Sequence, residues 1–136
     1  MKRIVVLLLA FAAPAAWAQT SPLDGDWRGT SDGGSCNTPL DFALSIEAGI
    51  VDGTAVNPAA HGPVPNLRKT EPPPPVPGLW QVYGVAKAGT FTLRALASVQ
   101  GSEHRETRFS GSVSGSALTL SESGGCGRKA SLAKVK

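Results

Sequence analysis

Apolar and polar residues alternate along much of this chain with a period of two. Between positions 40 and 48, Leu40, Phe42, Leu44, Ile46 and Ala48 fall on one side and Asp41, Ala43, Ser45 and Glu47 on the other. That is the pattern of a strand with one face buried and one wet. The stretch from Thr90 to Val99 repeats it, with Phe91, Leu93, Ala95, Ala97 and Val99 opposite Thr92, Arg94 and Ser98, Leu96 being the exception; Thr107, Phe109 and Val113 do the same against Arg108, Ser110 and Ser112. No window of helical length carries an apolar stripe at i, i+3, i+4. Turn signals separate the alternating runs: Ala48-Gly49, Ala88-Gly89, Gly101-Ser102 and Gly115-Ser116. The spacing predicts about eight strands, over 25–30, 40–48, 50–56, 79–87, 90–99, 105–114, 117–122 and 127–135. Eight short antiparallel strands in sequence form an up-and-down meander able to close into a small barrel, which removes the exposed edges of an open sheet. The fold class expected is all-β.

A second regularity lies inside the strands. An apolar residue stands two before a glycine at Trp27-Arg28-Gly29, Val51-Asp52-Gly53, Val82-Tyr83-Gly84 and Phe109-Ser110-Gly111. By parity each glycine shares the face of its apolar neighbour. A glycine inside a strand weakens it unless the backbone bends sharply or approaches something closely, so the repeat predicts a curved sheet built from similar hairpins.

One stretch interrupts the meander. Asn57 to Gly78 holds eight prolines in 22 residues, including Pro72, Pro73, Pro74, Pro75 and Pro77. Proline cannot donate to a ladder and favours polyproline II, which makes this an extended connection between the third and fourth strands. Two readings stand side by side: a stiff insertion, or a docking segment for an aromatic-lined groove.

The N-terminus supplies the compartment. Lys2 and Arg3, the apolar run Ile4 to Ala13 and the small-residue site Ala16-Trp17-Ala18 read as an export signal cleaved after Ala18. The expected organisation is a signal peptide over 1–18 and a single domain over 19–136, periplasmic or secreted. In an oxidising compartment the two cysteines, Cys36 and Cys126, are expected to form one disulfide. Cys36 lies just beyond the first strand and Cys126 just before the eighth, so the bridge is expected to clamp the seam where those strands pair.

The chain's formal net charge is +3, and two of the positives sit in the signal segment. The remaining domain is nearly neutral and lacks the basic footprint that nucleic acid requires. No metal, cofactor or catalytic set is legible. His61 and His104 have no second ligand at metal spacing, and Glu103 and His104, adjacent in sequence, would point to opposite faces if extended. Gly111-Ser112-Val113-Ser114-Gly115 lacks the strand-to-helix setting of a nucleophile elbow. An eight-stranded barrel has a lumen just wide enough for side chains or one small ligand. The interior is accordingly either solid or a cavity lined by Trp27, Trp80 and Phe109.

The opening Asp24-Gly25-Asp26-Trp27-Arg28-Gly29, the following Cys36, the glycine-punctuated hairpins and the late Cys126 resemble small exported proteins of Gram-negative bacteria. More distantly they resemble the avidin and lipocalin-like meander barrels, which also open on a Gly-x-Trp strand. Avidins carry a polar residue two after that tryptophan and further tryptophans around biotin, where the domain after the signal segment has Gly29 and, besides Trp27, only Trp80, so biotin binding is not implied. A stable exported scaffold with one long, unusual loop and no catalytic set is expected to be a non-catalytic binding module, which meets a protein or a small apolar ligand with the barrel mouth or with the Asn57 to Gly78 loop. The alternatives are an inhibitor of an exported hydrolase such as a protease or lysozyme, and an enzyme with an unrecognised site.

Overall fold

The computed structural model describes residues 21–59, 78–97 and 106–135. Eight strands follow one another: β1 (Gly25–Ser31), β2 (Asp41–Glu47), β3 (Ile50–Val56), β4 (Leu79–Lys87), β5 (Thr90–Ala97), β6 (Glu106–Ser114), β7 (Ala117–Ser123) and β8 (Lys129–Val135). Each pairs antiparallel with its neighbours in sequence, and β1 pairs with β8, so the meander closes into a barrel. The elements expected from the alternation are all present. Several ends move by one or two residues, two of them for plain local reasons. β2 stops at Glu47 because Ala48 and Gly49 both take positive φ in the turn, and β8 starts at Lys129 because Gly124, Gly125 and Gly127 hold positive φ ahead of it.

The alternation translates directly into a core. Trp27, Phe42, Leu44, Ile46, Val51, Val82, Phe91, Leu93, Phe109, Leu118, Leu120 and Leu132 are all buried in one cluster, with Leu23, Trp80, Ala86 and Val113 packed against it. Phe42 and Phe109 sit on strands four apart in a ring of eight, hence on opposite walls, yet their rings meet edge to face with centroids 5.3 Å apart. At that level the lumen is filled from wall to wall.

The repeated glycines explain how the wall curves tightly enough. Each faces a leucine on the other strand of a pair: Gly29 opposite Leu132, Gly53 opposite Leu44, Gly84 opposite Leu93 and Gly111 opposite Leu120. A Cβ at any of the four would land on a carbonyl oxygen of that same neighbouring strand, those of Ser131, Ala43, Thr92 and Thr119 respectively. The missing side chain lets the strands approach, and the leucine fills the space over the glycine. The unit occurs once in each of the pairs β8–β1, β2–β3, β4–β5 and β6–β7, giving four similar corners.

The two ends of the barrel differ. At one end the connections are the two-residue turns Ala48-Gly49, Ala88-Gly89 and Gly115-Ser116, and residues 21–24 are tied there to the first of these turns, to Trp27 and to Lys134. The Trp27 indole N–H donates to the Leu23 carbonyl at 2.9 Å, the Asp24 carboxylate accepts from the Ala48 N–H at 3.1 Å, and Lys134 Nζ donates to the Pro22 carbonyl at 3.1 Å. At the other end the chain makes its longer connections: 32–40, 57–78, 98–105 and 124–128.

Candidate functional site

The loop end is where the chemistry gathers. Residues 32–40 leave β1 through a single 3-10 turn, Gly34–Cys36, closed by Asn37 in the left-handed region at φ 52°. Asp32 Oδ1 accepts from the Gly34 N–H at 3.2 Å and from the Lys129 N–H at 2.9 Å, tying this loop to the start of β8. The buried Ser31 hydroxyl accepts from the Leu40 N–H at 2.9 Å and so holds the loop's exit beside its entrance. The Ser35 N–H donates to the Cys126 carbonyl at 2.8 Å.

Across that contact Cys36 and Cys126 are disulfide-bonded, their Cα atoms 5.3 Å apart. The bridge lies at the β1–β8 seam, as their places in the sequence require. In the loop-entropy description a closed loop of about 90 residues stabilises by roughly 4 to 5 kcal/mol.

A second clamp, which the sequence reading missed, lies beneath the bridge. Glu122 faces the interior from the end of β7, and Arg128 enters from the turn that precedes β8; their side chains are 1% and 6% exposed. Arg128 Nη1 donates to both Glu122 oxygens at 3.2 Å, and the Arg128 backbone N–H donates to Oε2 at 3.0 Å. The Thr107 hydroxyl donates to Oε1 at 2.7 Å. The rest of the guanidinium reaches over to the opposite side of the seam, where Nε donates to the Thr38 carbonyl at 2.8 Å and Nη2 to Thr38 Oγ1 at 2.6 Å. Among the described residues no buried side-chain nitrogen or oxygen lacks a partner. A buried carboxylate is tolerable only when paired and hydrogen-bonded, and this one is. The sequence did contain a signal: Leu118, Leu120 and Glu122 share one parity, which puts a carboxylate on an apolar face in need of a cation.

The three aromatics expected around a cavity are not gathered at one point. Trp27 lies toward the turn end with its indole bonded to Leu23, and Phe109 lies mid-barrel against Phe42. Trp80, partly buried between Ala55 and Ala97 on the flanking strands, faces inward at the loop end. Of the proline-rich connection, Asn57 and Gly78 are joined by an N–H to carbonyl bond of 2.8 Å. Pro72, Pro73, Pro74, Pro75 and Pro77 lie outside the described residues, as do His61, Glu103 and His104.

Outside the barrel wall, Arg94 on β5 grips Glu106 on β6 through two bonds of 2.8 and 2.9 Å and lies over the Tyr83 ring at 5.6 Å. The bidentate bond from Arg94 is the main cause that lowers the Glu106 carboxyl below its ordinary range, and the same bond raises the Arg94 guanidinium. The described residues contain no group of three or more His, Cys, Asp or Glu able to hold a metal ion. No helix among them is long and apolar enough to cross a membrane. No protein-family model, no curated protein and no solved structure matches the chain.

Proposed function

We propose that the protein is a non-catalytic exported interaction module that meets its partner, a protein or a small apolar ligand, with the loop end of the barrel. One observation carries this reading: two of the connections at that end, 32–40 and 124–128, are held to one another by two clamps, the Cys36–Cys126 bridge and the Arg128 network. A recognition surface built from loops loses affinity to the cost of ordering them, and fixing them beforehand cuts that cost. The turn end, by contrast, offers three two-residue turns and little surface to vary. The non-catalytic part of the reading is supported by the inward charges. Glu122 and Arg128 are occupied with one another and with backbone and hydroxyl partners, so neither is free to move a proton. Export is supported by the signal-like N-terminus together with an oxidised cysteine pair.

A hydrolase inhibitor is the second reading, favoured by the rigid, exposed 33–37 loop beside the disulfide. That loop turns in a 3-10 conformation instead of running extended, so an inhibitor of this design would cover its target and not imitate a substrate strand.

Affinity capture from a periplasmic extract with three baits tests the proposal. The baits are the unaltered protein, a loop-end variant (Ser35→Arg with Asn37→Gly) and a turn-end variant (Gly115→Asn with Ser116→Gly). A partner or ligand retained by the first and third and lost from the second supports recognition at the loop end; retention by all three refutes it. Native mass spectrometry of the protein purified from the periplasm reports a bound small molecule and the oxidised, processed mass together.

A further inference from the structure

The outer wall of the barrel is polar almost everywhere, with serine, threonine, aspartate, arginine and lysine on the outward positions of β1, β6, β7 and most of β8. Apart from the single exposed Val135 at the end of β8, the exception among the described residues is β3–β4. Ile50 and Val85 are direct cross-strand neighbours on the outside, 61% and 52% exposed. Tyr83 follows on the same face, and further along the same row Val56 and Leu79 are already buried. The open apolar part of this face therefore lies toward the turn end and centres on Ile50, Tyr83 and Val85. Isolated exposed aliphatics are ordinary on protein surfaces, but here charges of opposite sign flank an adjacent pair. On the β2–β3 side is a shallow hollow of about 650 Å³ lined by Ser45, Glu47, Ala48, Ile50 and Asp52. Its two carboxylates have no ion-pair partner among the described residues. On the β5–β6 side stand Arg94 and Arg108, their side chains 49% and 71% exposed, sharing the single carboxylate of Glu106.

We propose that this face is the interface of a two-fold homodimer. The ladder puts Ser45, Asp52, Tyr83, Arg94 and Arg108 at one level across five successive strands. With neighbouring strands about 4.8 Å apart, the acidic hollow and the arginines each lie roughly 7 Å from β4, on opposite sides of it. A two-fold axis running along β4 therefore stacks Tyr83 and Val85 on their own counterparts and carries each acidic hollow over the second copy's Arg94 and Arg108. An isologous interface needs such self-complementarity, in which the patch that gives on one side receives on the other. The wall is convex, so the surfaces diverge away from the axis, and arginine is long enough to bridge the gap. A chain of low net charge opposes its own association little.

Sedimentation equilibrium and native mass spectrometry of the full exported chain across a wide concentration range test this. The unaltered protein is expected to show a concentration-dependent dimer, and Val85→Asp to abolish it. Inverting the hollow (Glu47→Arg with Asp52→Arg), or inverting the whole basic cluster (Arg94→Glu, Glu106→Arg, Arg108→Glu), is expected to weaken self-association about tenfold or more. An equimolar mixture of those two variants then restores a heterodimer, since both of its charged contacts are again matched. As a check independent of charge, Val85→Cys cross-links between copies whereas Ser131→Cys, on the opposite wall, does not. A protein that stays monomeric throughout, a dimer that survives Val85→Asp, a mixture that associates no better than its components, or equal cross-linking at both positions overturns the proposal.

Discussion

Replacing Arg128 by methionine removes the cation from a site where Glu122 is 1% exposed, leaving the carboxylate with the Thr107 hydroxyl and one backbone N–H. Breaking a buried pair by deleting one partner costs about 3 to 5 kcal/mol, because the survivor is an uncompensated charge in a dry place. Glu122→Gln strands the guanidinium in the same way, with Thr38 as its remaining partner, and the same range applies. The double change Glu122→Gln with Arg128→Met removes both charges together. It is expected to cost less than the sum of the singles by about 2 kcal/mol or more, a coupling typical of groups in one network. Urea unfolding of oxidised protein measures all four corners of this cycle. The disulfide must stay intact, since a 3 to 5 kcal/mol loss is a large share of a total stability of roughly 5 to 15 kcal/mol. Singles within about 1 kcal/mol of the parent, or an additive double, would mean that water reaches the pair. The loop end of the lumen would then be wet, and the reasoning that treats it as a closed, fixed platform would fail.

Cys36→Ser with Cys126→Ser is expected to lower stability by roughly 4 to 5 kcal/mol while leaving β1 paired with β8, read as a shifted urea midpoint with an unchanged far-ultraviolet spectrum. Alanine at Gly53 or Gly84 drives a methyl into the neighbouring strand's carbonyl and is expected to cost about 1 to 3 kcal/mol; alanine at an outward serine such as Ser121, within about 0.5 kcal/mol of neutral, is the comparison in thermal melts. Ala88, at φ 52° in a two-residue turn, occupies a place that favours asparagine, so Ala88→Asn is expected to stabilise by about 0.5 to 1 kcal/mol. Because Arg94 holds the Glu106 carboxyl low, the contribution of that ion pair is fully present above the ordinary carboxylate value near 4.5 and disappears as pH falls through the lowered one. A carboxyl-carbon NMR titration reads this directly, and Arg94→Gln is expected to return Glu106 upward.

The order, number and faces of the strands were legible because side chains alternate with a period of two wherever one face is buried. Leu40 to Glu47 and Phe91 to Ala97 need no tertiary information to declare which side is in. The four inward glycines were legible for the same reason, as was the pairing of the cysteines, since a chain with two thiols has one intramolecular bridge to make. What parity could not supply was distance across the barrel. That Phe42 meets Phe109 from the opposite wall, that Gly29 faces Leu132 across the seam, and that Trp27 and Trp80 fall toward different ends depend on how strands far apart in sequence are staggered when the ring closes. Arg128 is the clearest case. In sequence it stands among Gly127, Lys129 and the other cations of a basic tail; in the fold it is the buried counter-ion of Glu122 and the anchor of Thr38, 90 positions away. Alternation is a property of one strand and its own backbone, so the sequence carries it locally; a buried charge's partner is chosen by the desolvation of a lumen that exists only after the last strand has met the first.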